Sequence, residues 1–187
     1  MSAGKRMLGG FLTVGGWTLL SRVLGFVRDV MIAAFLGTGP AAQAFIVAFS
    51  LPNMFRRFFA EGAFNMAFVP MFSKKLEADD NPLGFARDAF SGLATILIAF
   101  TVVAMFAMPW LVWAMASGFV GDARFDLSVT YGRIAFPYIL FISLAALLSG
   151  VLNAMHRFTA AAAAPVLLNI IFIAALVISS AMGMDIG

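Results

Sequence analysis

Long apolar stretches separated by short polar segments run through the whole chain. A helix needs about 20 predominantly apolar residues to cross the hydrocarbon core of a bilayer. Five stretches meet this requirement, and we predict membrane-spanning helices over residues 7–36, 41–72, 85–115, 129–155 and 160–181. Pro52 and Gly62 interrupt the second stretch, and Pro165 lies near the start of the fifth. The pattern therefore predicts an all-α, polytopic transmembrane helix bundle.

The composition agrees with a membrane protein and excludes several other classes. Hydrophobic residues make up 63% of the 187 residues and charged residues 11%, against about 25% charged residues in soluble domains. So few charges cannot cover the surface that a soluble fold exposes, which excludes a water-soluble monomer. The absence of cysteine excludes disulfides and thiolate metal sites. A net charge of +3 is too small and too scattered for nucleic-acid binding.

The basic residues predict the orientation of the helices. Placing the N-terminus in the cytoplasm puts six basic residues in cytoplasmic segments, namely Lys5, Arg6, Lys74, Lys75, Arg87 and Arg157. The outer loops then carry Arg124, which Asp122 and Asp126 flank. Because basic residues favour the cytoplasmic side, this distribution predicts a multi-pass protein with a cytoplasmic N-terminus.

Charged side chains inside the first two apolar stretches are the most informative feature of the sequence. They are Arg22, Arg28 and Asp29 in the first stretch and Arg56, Arg57 and Glu61 in the second. A charge at the centre of a membrane helix costs about 2.5–3.5 kcal/mol on the insertion scale. We therefore expect these side chains to face a hydrated cavity or a protein partner rather than lipid.

Helical spacing predicts which charges of the first stretch share a face. Ser21 and Arg28 are seven residues apart, as are Arg22 and Asp29, so each pair is nearly aligned two turns apart. Arg28 and Asp29 could form a structural ion pair, but adjacent residues point about 100° apart on a helix. An ion pair that leaves a surplus cation is a poor source of stability, and it suits the attraction of an anion better.

The second stretch combines a structural ion pair with candidate flexible points. Arg57 and Glu61 are four residues apart and can pair on one helix, so we assign them structural roles first. Pro52 removes a backbone donor, which predicts a bend. Gly25 and Gly62 are candidate hinges, although glycine in a membrane helix more often serves close packing.

The surplus arginines indicate an anionic ligand. A guanidinium group is planar, always charged and able to bind two phosphate oxygens at once. The residues therefore predict a cavity for an anionic, phosphate-bearing substrate. The alternative is that the arginines hold helices together or extend to the headgroups. The sequence contains no catalytic or metal-binding motif, so we predict neither an enzyme nor a cofactor.

Four segments resemble a known family. Residues 21–29 (SRVLGFVRD) and 51–64 (LPNMFRRFFAEGAF) are similar to motifs of the MurJ (MviN-type) lipid II flippases. Residues 136–140 (FPYIL) and 164–170 (APVLLNI) resemble that family too. The family belongs to the multidrug/oligosaccharidyl-lipid/polysaccharide exporter superfamily, whose members have two lobes around a central cavity. The likeness implies that residues 1–187 form most of the N-terminal lobe and that the C-terminal lobe is absent from this chain.

The resemblance also implies a substrate, a location and site residues. The substrate would be lipid II, the undecaprenyl-diphosphate-linked peptidoglycan precursor, moved from the inner to the outer leaflet of the bacterial cytoplasmic membrane by alternating access. Arg22, Arg28 and Arg56 match the family's cavity arginines, Asp29 matches the acid that follows, and Ser21 occupies the matching position before Arg22. We expect membrane lipids as the other contacts of the protein and no nucleic acid.

The sequence departs from the family pattern at two positions of the second stretch. Gln43 stands where an acidic residue is frequent, and Ser50 where a basic residue is frequent. These departures put in doubt any balancing acid–base pair there. Two other functions stay open at this point: an exporter of another lipid-linked oligosaccharide or of drugs, and a non-transporting membrane scaffold that binds anionic lipid.

Overall fold

The chain is almost entirely helical in a computed structural model, which describes residues 3–57, 59 and 63–182. Its α-helices are α1 (Ala3–Leu36), α2 (Pro40–Arg56), α3 (Ala63–Glu77), α4 (Pro82–Phe106), α5 (Met108–Met115), α6 (Ala123–Ala135), α7 (Tyr138–Ala154) and α8 (Phe158–Ala181). No β-strand occurs in these described ranges. The prediction of an all-α helix bundle is therefore confirmed.

Three helical segments are long and apolar enough to cross a membrane, as judged over the described residues. They are Pro82–Phe106, Ala123–Ala154 and Phe158–Ala181. The second of them joins α6 and α7 across a short turn at residues 136–137. The count of five crossings stays a prediction, because the first two predicted spans are not among these three.

The first predicted span ends where the sequence suggests. α1 stops at Leu36, and Gly37 follows in a left-handed conformation with φ of 61°. The N–H of Gly37 donates to the carbonyl of Ala33 at 3.1 Å. Glycine adopts this conformation without steric penalty, so the helix ends here.

The second predicted span contains α2 and the first part of α3. Pro52 is buried inside α2, which continues through it and ends at Arg56. The predicted interruption at Pro52 is therefore not a helix end. The side-chain amide of Asn53 donates to the carbonyl of Phe49 at 3.0 Å, which adds a hydrogen bond to the turn that contains the proline. Gly62 lies outside the described residues, so its predicted role is untested.

The third predicted span contains a break that the sequence analysis did not anticipate. α4 ends at Phe106 and α5 begins at Met108, with Pro109 in its first turn. Proline has no N–H to donate to the carbonyl four residues earlier, here that of Met105. The loss of this hydrogen bond gives the physical reason for the break.

The chain forms two compact units. One unit contains α1 and α8. Partly buried side chains of α1 recur every three or four residues, at Val14, Trp17, Ser21, Leu24, Arg28, Met31 and Phe35. The buried residues of α8, Val166 and Asn169, follow the same spacing. This spacing places the side chains of each set on one face of their helix, where α1 and α8 pack against each other.

The other unit contains α2 to α7 and has an aromatic and aliphatic core. Phe136 is fully buried, and its ring centroid lies 5.9 Å from that of Phe55 and 5.7 Å from that of Phe100. α2 packs extensively on α6. Small buried residues recur four apart on both helices, at Ala44 and Ala48 on α2 and at Ser128 and Gly132 on α6. Such spacing lets two helix backbones approach closely.

Candidate functional site

Two of the α1 residues predicted to bind substrate, Ser21 and Arg28, lie on one face of the helix together with Gly25. Ser21, Gly25 and Arg28 are four and three residues apart, which places them on one face. All three lie against Asn169 of α8. The predicted alignment of Ser21 with Arg28 is thus reflected in a shared contact with one residue.

Arg28 makes contacts with both helices of its unit. Its Nη1 donates to Oδ1 of Asn169 at 2.9 Å. Its Nε and Nη2 donate to Oδ1 of Asp29 at 3.0 and 2.8 Å. The guanidinium carbon lies 5.8 Å from the ring centroid of Phe172, within the range of a cation–π contact. The ion pair with Asp29 forms although the two residues are adjacent, because the long arginine side chain can curve back along the helix.

Arg28 has N–H donors that these contacts do not use. A guanidinium group has five N–H donors, and three of them donate in hydrogen bonds to described residues. Two donors are left, and bidentate recognition of a phosphate requires two. The side chain is 26% exposed, so a ligand can reach it.

Asn169 is the polar side chain at the centre of this cluster. It is 5% exposed. Its Nδ2 donates to the backbone carbonyl of Ser21 at 3.0 Å and lies 3.5 Å from the Ser21 hydroxyl oxygen. A Cβ atom at Gly25 would lie 3.6 Å from the same nitrogen, so Gly25 packs directly against the amide. This contact supports the packing interpretation of Gly25, and its role as a hinge is still a prediction.

Arg22 and Asp29 lie beside this contact rather than within it. Both residues are exposed, and the Asp29 side chain retains 65% exposure while it pairs with Arg28. Their seven-residue spacing places them on one side of α1. α1 therefore presents one arginine held by α8 and a second arginine open to its surroundings.

The predicted site residues of the second stretch belong to the other unit. Arg56 is half-buried at the last position of α2, and Arg57 after it is exposed. Glu61 lies outside the described residues, so the proposed pairing of Arg57 with Glu61 is untested. Arg22 and Arg28 belong to the α1–α8 unit, and the convergence of Arg56 with them in one cavity also stays a prediction.

A second polar cluster, built around Arg124, lies at the N-terminus of α6. Asp122 caps the N-terminus of α6, and one of its carboxylate oxygens accepts from the Arg124 backbone N–H. Arg124 pairs with Asp122 at 2.7 Å, and its Nη1 donates to Oε1 of Gln43 on α2 at 2.8 Å. Hydrogen bonds from Arg124 lower the pKa of the Asp122 carboxyl. Gln43 thus serves as a neutral hydrogen-bond partner of an arginine, at a position where the family pattern suggested an acid.

Sequence reasoning missed Arg133, which lies within the fourth predicted span. Its Nε donates to the carbonyl of Met105 at 3.1 Å. Pro109 deprives this carbonyl of its usual donor. The sequence signal was present, because an arginine inside an apolar span and a proline inside a helix each require compensation. Nothing in the sequence indicated that the two lie together.

The chemistry available in these clusters is anion binding. Guanidinium groups dominate, and no group of three potential metal-ligating side chains occurs in the described part of the chain. The fold and this site define a class: a helical membrane protein with an arginine-containing, hydrogen-bonded cluster between its first helix and α8.

Comparison with known proteins identifies the family. The model of the family described as lipid II flippase MurJ matches residues 32–184, and the chain belongs to this family. A protein named probable lipid II flippase MurJ from Rhizobium tropici is 50% identical over 179 residues, which cover 94% of this chain and 34% of that protein. A protein named lipid II flippase MurJ from Burkholderia cenocepacia is 47% identical over 169 residues, or 89% of this chain and 33% of that protein.

The resemblance seen in the sequence motifs is therefore confirmed. The chain spans about a third of the length of these relatives. The family and the apolar helices together make this a bacterial membrane protein. α8 lies within the range matched by the family model, whereas Ser21 to Asp29 precede it.

Proposed function

We propose that this chain acts as part of a lipid II flippase that moves its substrate from the inner to the outer leaflet of the bacterial cytoplasmic membrane. Its membership of the lipid II flippase MurJ family supports this proposal. The observation that carries it is the bonding of Arg28, whose guanidinium is held by residues of two helices and has two N–H donors that bond to none of the described residues.

The proposed role of the arginines is to bind the diphosphate of lipid II. A diphosphate carries several negatively charged oxygens, and Arg28 offers two donors to them. Arg22 is exposed on the same helix and adds a second positive charge. Arg56 would contribute a third guanidinium from α2. The undecaprenyl tail would stay in the bilayer while the headgroup moves through the protein.

Transport would proceed by alternating access, with the N-terminus of the chain in the cytoplasm. The cavity would bind the diphosphate while open to the inner leaflet and release it while open to the outer leaflet. No bond of the substrate is broken, so the protein would not act as an enzyme. The positive charge inside the membrane makes the process sensitive to membrane potential, since one elementary charge that crosses 100 mV changes in energy by about 2.3 kcal/mol.

The test is transport by the full-length protein in cells depleted of their own lipid II flippase. The readout is the fraction of lipid II that an externally added lipid II-cleaving enzyme can reach. We expect Arg28→Ala and Arg56→Ala each to abolish this accessible fraction. Arg87→Ala is the matched control, because Arg87 is exposed near the start of α4 and should leave transport intact.

This readout, together with assays of anionic phospholipid binding and of other lipid-linked oligosaccharides, separates the alternatives. Normal lipid II accessibility with both Arg28→Ala and Arg56→Ala would contradict the proposal. If those variants instead lost binding of anionic phospholipid vesicles while lipid II transport stayed normal, the protein would be a lipid-binding scaffold. Transport of a different lipid-linked oligosaccharide, with no transport of lipid II, would indicate another exporter of the superfamily.

A further inference from the structure

We infer that Asn169 is a positioning residue for Arg28, which it holds in place for an anionic ligand without neutralising the charge. The inference rests on the proposed function, since it assigns the ligand of Arg28 to the diphosphate class. It goes beyond the arginines themselves, because Asn169 is uncharged and lies on α8.

The hydrogen bonds of Asn169 define a single orientation of its amide. The backbone carbonyl of Ser21 can only accept a hydrogen bond, and the guanidinium of Arg28 can only donate one. The amide nitrogen must therefore face Ser21, at 3.0 Å, and the amide oxygen must face Arg28, at 2.9 Å. A flipped amide would lose both contacts. Asn169 is thus a fixed acceptor aimed at Nη1 of Arg28.

A neutral acceptor suits this position because Arg28 already has an acidic partner. Asp29 accepts from Nε and Nη2 and balances one positive charge. A second carboxylate at position 169 would make the cluster of Arg28 and its partners negative and would repel a phosphate. The amide of Asn169 restrains the remaining terminal nitrogen, Nη1, and adds no charge.

The burial of Asn169 argues against a purely structural role. The side chain is 5% exposed, so its amide needs hydrogen-bond partners, and both of them lie on α1. Hydrogen bonds between membrane helices contribute modestly to stability on average. The specific consequence of this amide is therefore the placement of Arg28 relative to α1.

The binding test uses the full-length protein in lipid nanodiscs with undecaprenyl diphosphate as the probe. We expect Asn169→Leu to raise the Kd about tenfold, the effect of losing one hydrogen bond to a charged group. In the Arg28→Ala background the same substitution should have no further effect, because Asn169 acts through Arg28. An unchanged Kd, or an equal rise in both backgrounds, would overturn the inference.

Two further variants separate positioning from packing and charge. Val166→Ala removes a buried side chain one turn away on the same face of α8 and should leave the Kd unchanged. Asn169→Asp keeps an acceptor for Arg28, but it loses the donor to the Ser21 carbonyl and adds a negative charge, so the Kd should rise. A rise with Val166→Ala equal to that with Asn169→Leu would indicate packing alone and would contradict positioning.

A measurement without ligand keeps the inference independent of the proposed function. Nitrogen-15 NMR of the arginine side chains reports rotation of the Arg28 Nη1 group about its bond to Cζ, and the signal is assigned by its loss in Arg28→Ala. We expect slow rotation in the wild type and Asn169→Asp, and fast rotation in Asn169→Leu. Slow rotation in Asn169→Leu would refute positioning, whereas a wild type that fails to bind undecaprenyl diphosphate would refute the proposed function alone.

Discussion

Arg28 in the α1–α8 pair and Arg133 in the α2–α7 unit are both arginines within predicted membrane spans, yet their surroundings differ. Arg28 is held by a buried amide and a carboxylate and keeps two donors. Arg133 donates to the backbone carbonyl of Met105, which Pro109 leaves without its helical donor. The difference shows that arginines inside apolar stretches can have different kinds of partner, here side chains for Arg28 and a backbone carbonyl for Arg133.

The two units also differ in the side chains that they bury. The α2–α7 unit contains fully buried aromatic and aliphatic side chains, such as Phe136. The α1–α8 pair buries a polar residue, Asn169, at its centre, and Phe172 beside Arg28 is only partly buried. We therefore expect the α2–α7 unit to depend on close packing and the α1–α8 pair to tolerate changes in shape.

We expect the largest loss of stability when an aromatic ring is removed from the core. Phe136→Ala should lower the free energy of unfolding by about 3–5 kcal/mol, because it leaves a cavity between Phe55 and Phe100. Phe172→Ala, its counterpart in the α1–α8 pair, should cost about 1 kcal/mol, since a partly buried ring loses less contact. Chemical unfolding of both variants measures the difference. Equal costs would remove the contrast between the units.

A smaller effect is expected from adding a methyl group at two glycines. A Cβ at Gly132 would lie 2.6 Å from Sδ of the fully buried Met108, whereas a Cβ at Gly25 would meet Asn169 at an ordinary 3.6 Å. Gly132→Ala should therefore lower the free energy of unfolding by about 1–3 kcal/mol. Gly25→Ala should be neutral or slightly stabilising, because alanine favours the helix.

The control for these glycines is Gly92→Ala, where a Cβ would meet nothing within 4 Å. Thermal unfolding of the three variants ranks them directly. A destabilising Gly25→Ala together with a neutral Gly132→Ala would reverse the expected order and show that the α1–α8 contact is the tighter one.

Arg133 tests the backbone role of an intramembrane arginine. Arg133→Leu should lower the free energy of unfolding by about 1 kcal/mol, because the Met105 carbonyl loses its donor. Pro109→Ala should reduce this cost, since alanine restores an N–H that can donate to Met105. A double-mutant cycle on unfolding measures the coupling, and additive effects would refute the link between Arg133 and Pro109.

The smallest expected effect is the pH dependence of the stability that the Asp122 cap of α6 contributes. Arg124 lowers the pKa of Asp122 in the folded protein from an ordinary value of 3.8. The ionised carboxylate therefore stabilises the fold above that value, and the contribution disappears as the pH falls through the lowered folded pKa. Asp122→Asn should have a lower Tm than the wild type at pH 6, and the gap should narrow as the pH falls below 3.8. A gap that is constant with pH would contradict this assignment.

The helical class and the location of the charges could be predicted from the sequence. Apolar stretches of membrane-spanning length and the cost of burying charge are properties of local composition. The end of α1 at Leu36 was also predictable, since a glycine-rich turn follows it. The break at Ala107 has a local cause in Pro109 but was missed, because proline within a membrane helix is compatible with continuation, as Pro52 and Pro165 show.

The partners of the charges could not be predicted in this way. Asn169 lies 141 residues from Arg28, and a lone asparagine in an apolar helix gives no sign of what it faces. Arg133 and Met105 are 28 residues apart, and their contact depends on how α6 packs beside α4 and α5. Helical spacing did place Ser21 and Arg28 on one face, but it did not show that α8 covers that face.

Sequence alone determined that this chain is a bundle of apolar helices with arginines where charge is costly, because length, hydropathy and spacing act within a single helix. The tertiary structure decided which arginine is held by a buried amide and which one completes a broken helix. Hydrogen bonds between side chains form over about 3 Å, and only the packing of distant segments brings donor and acceptor within that reach.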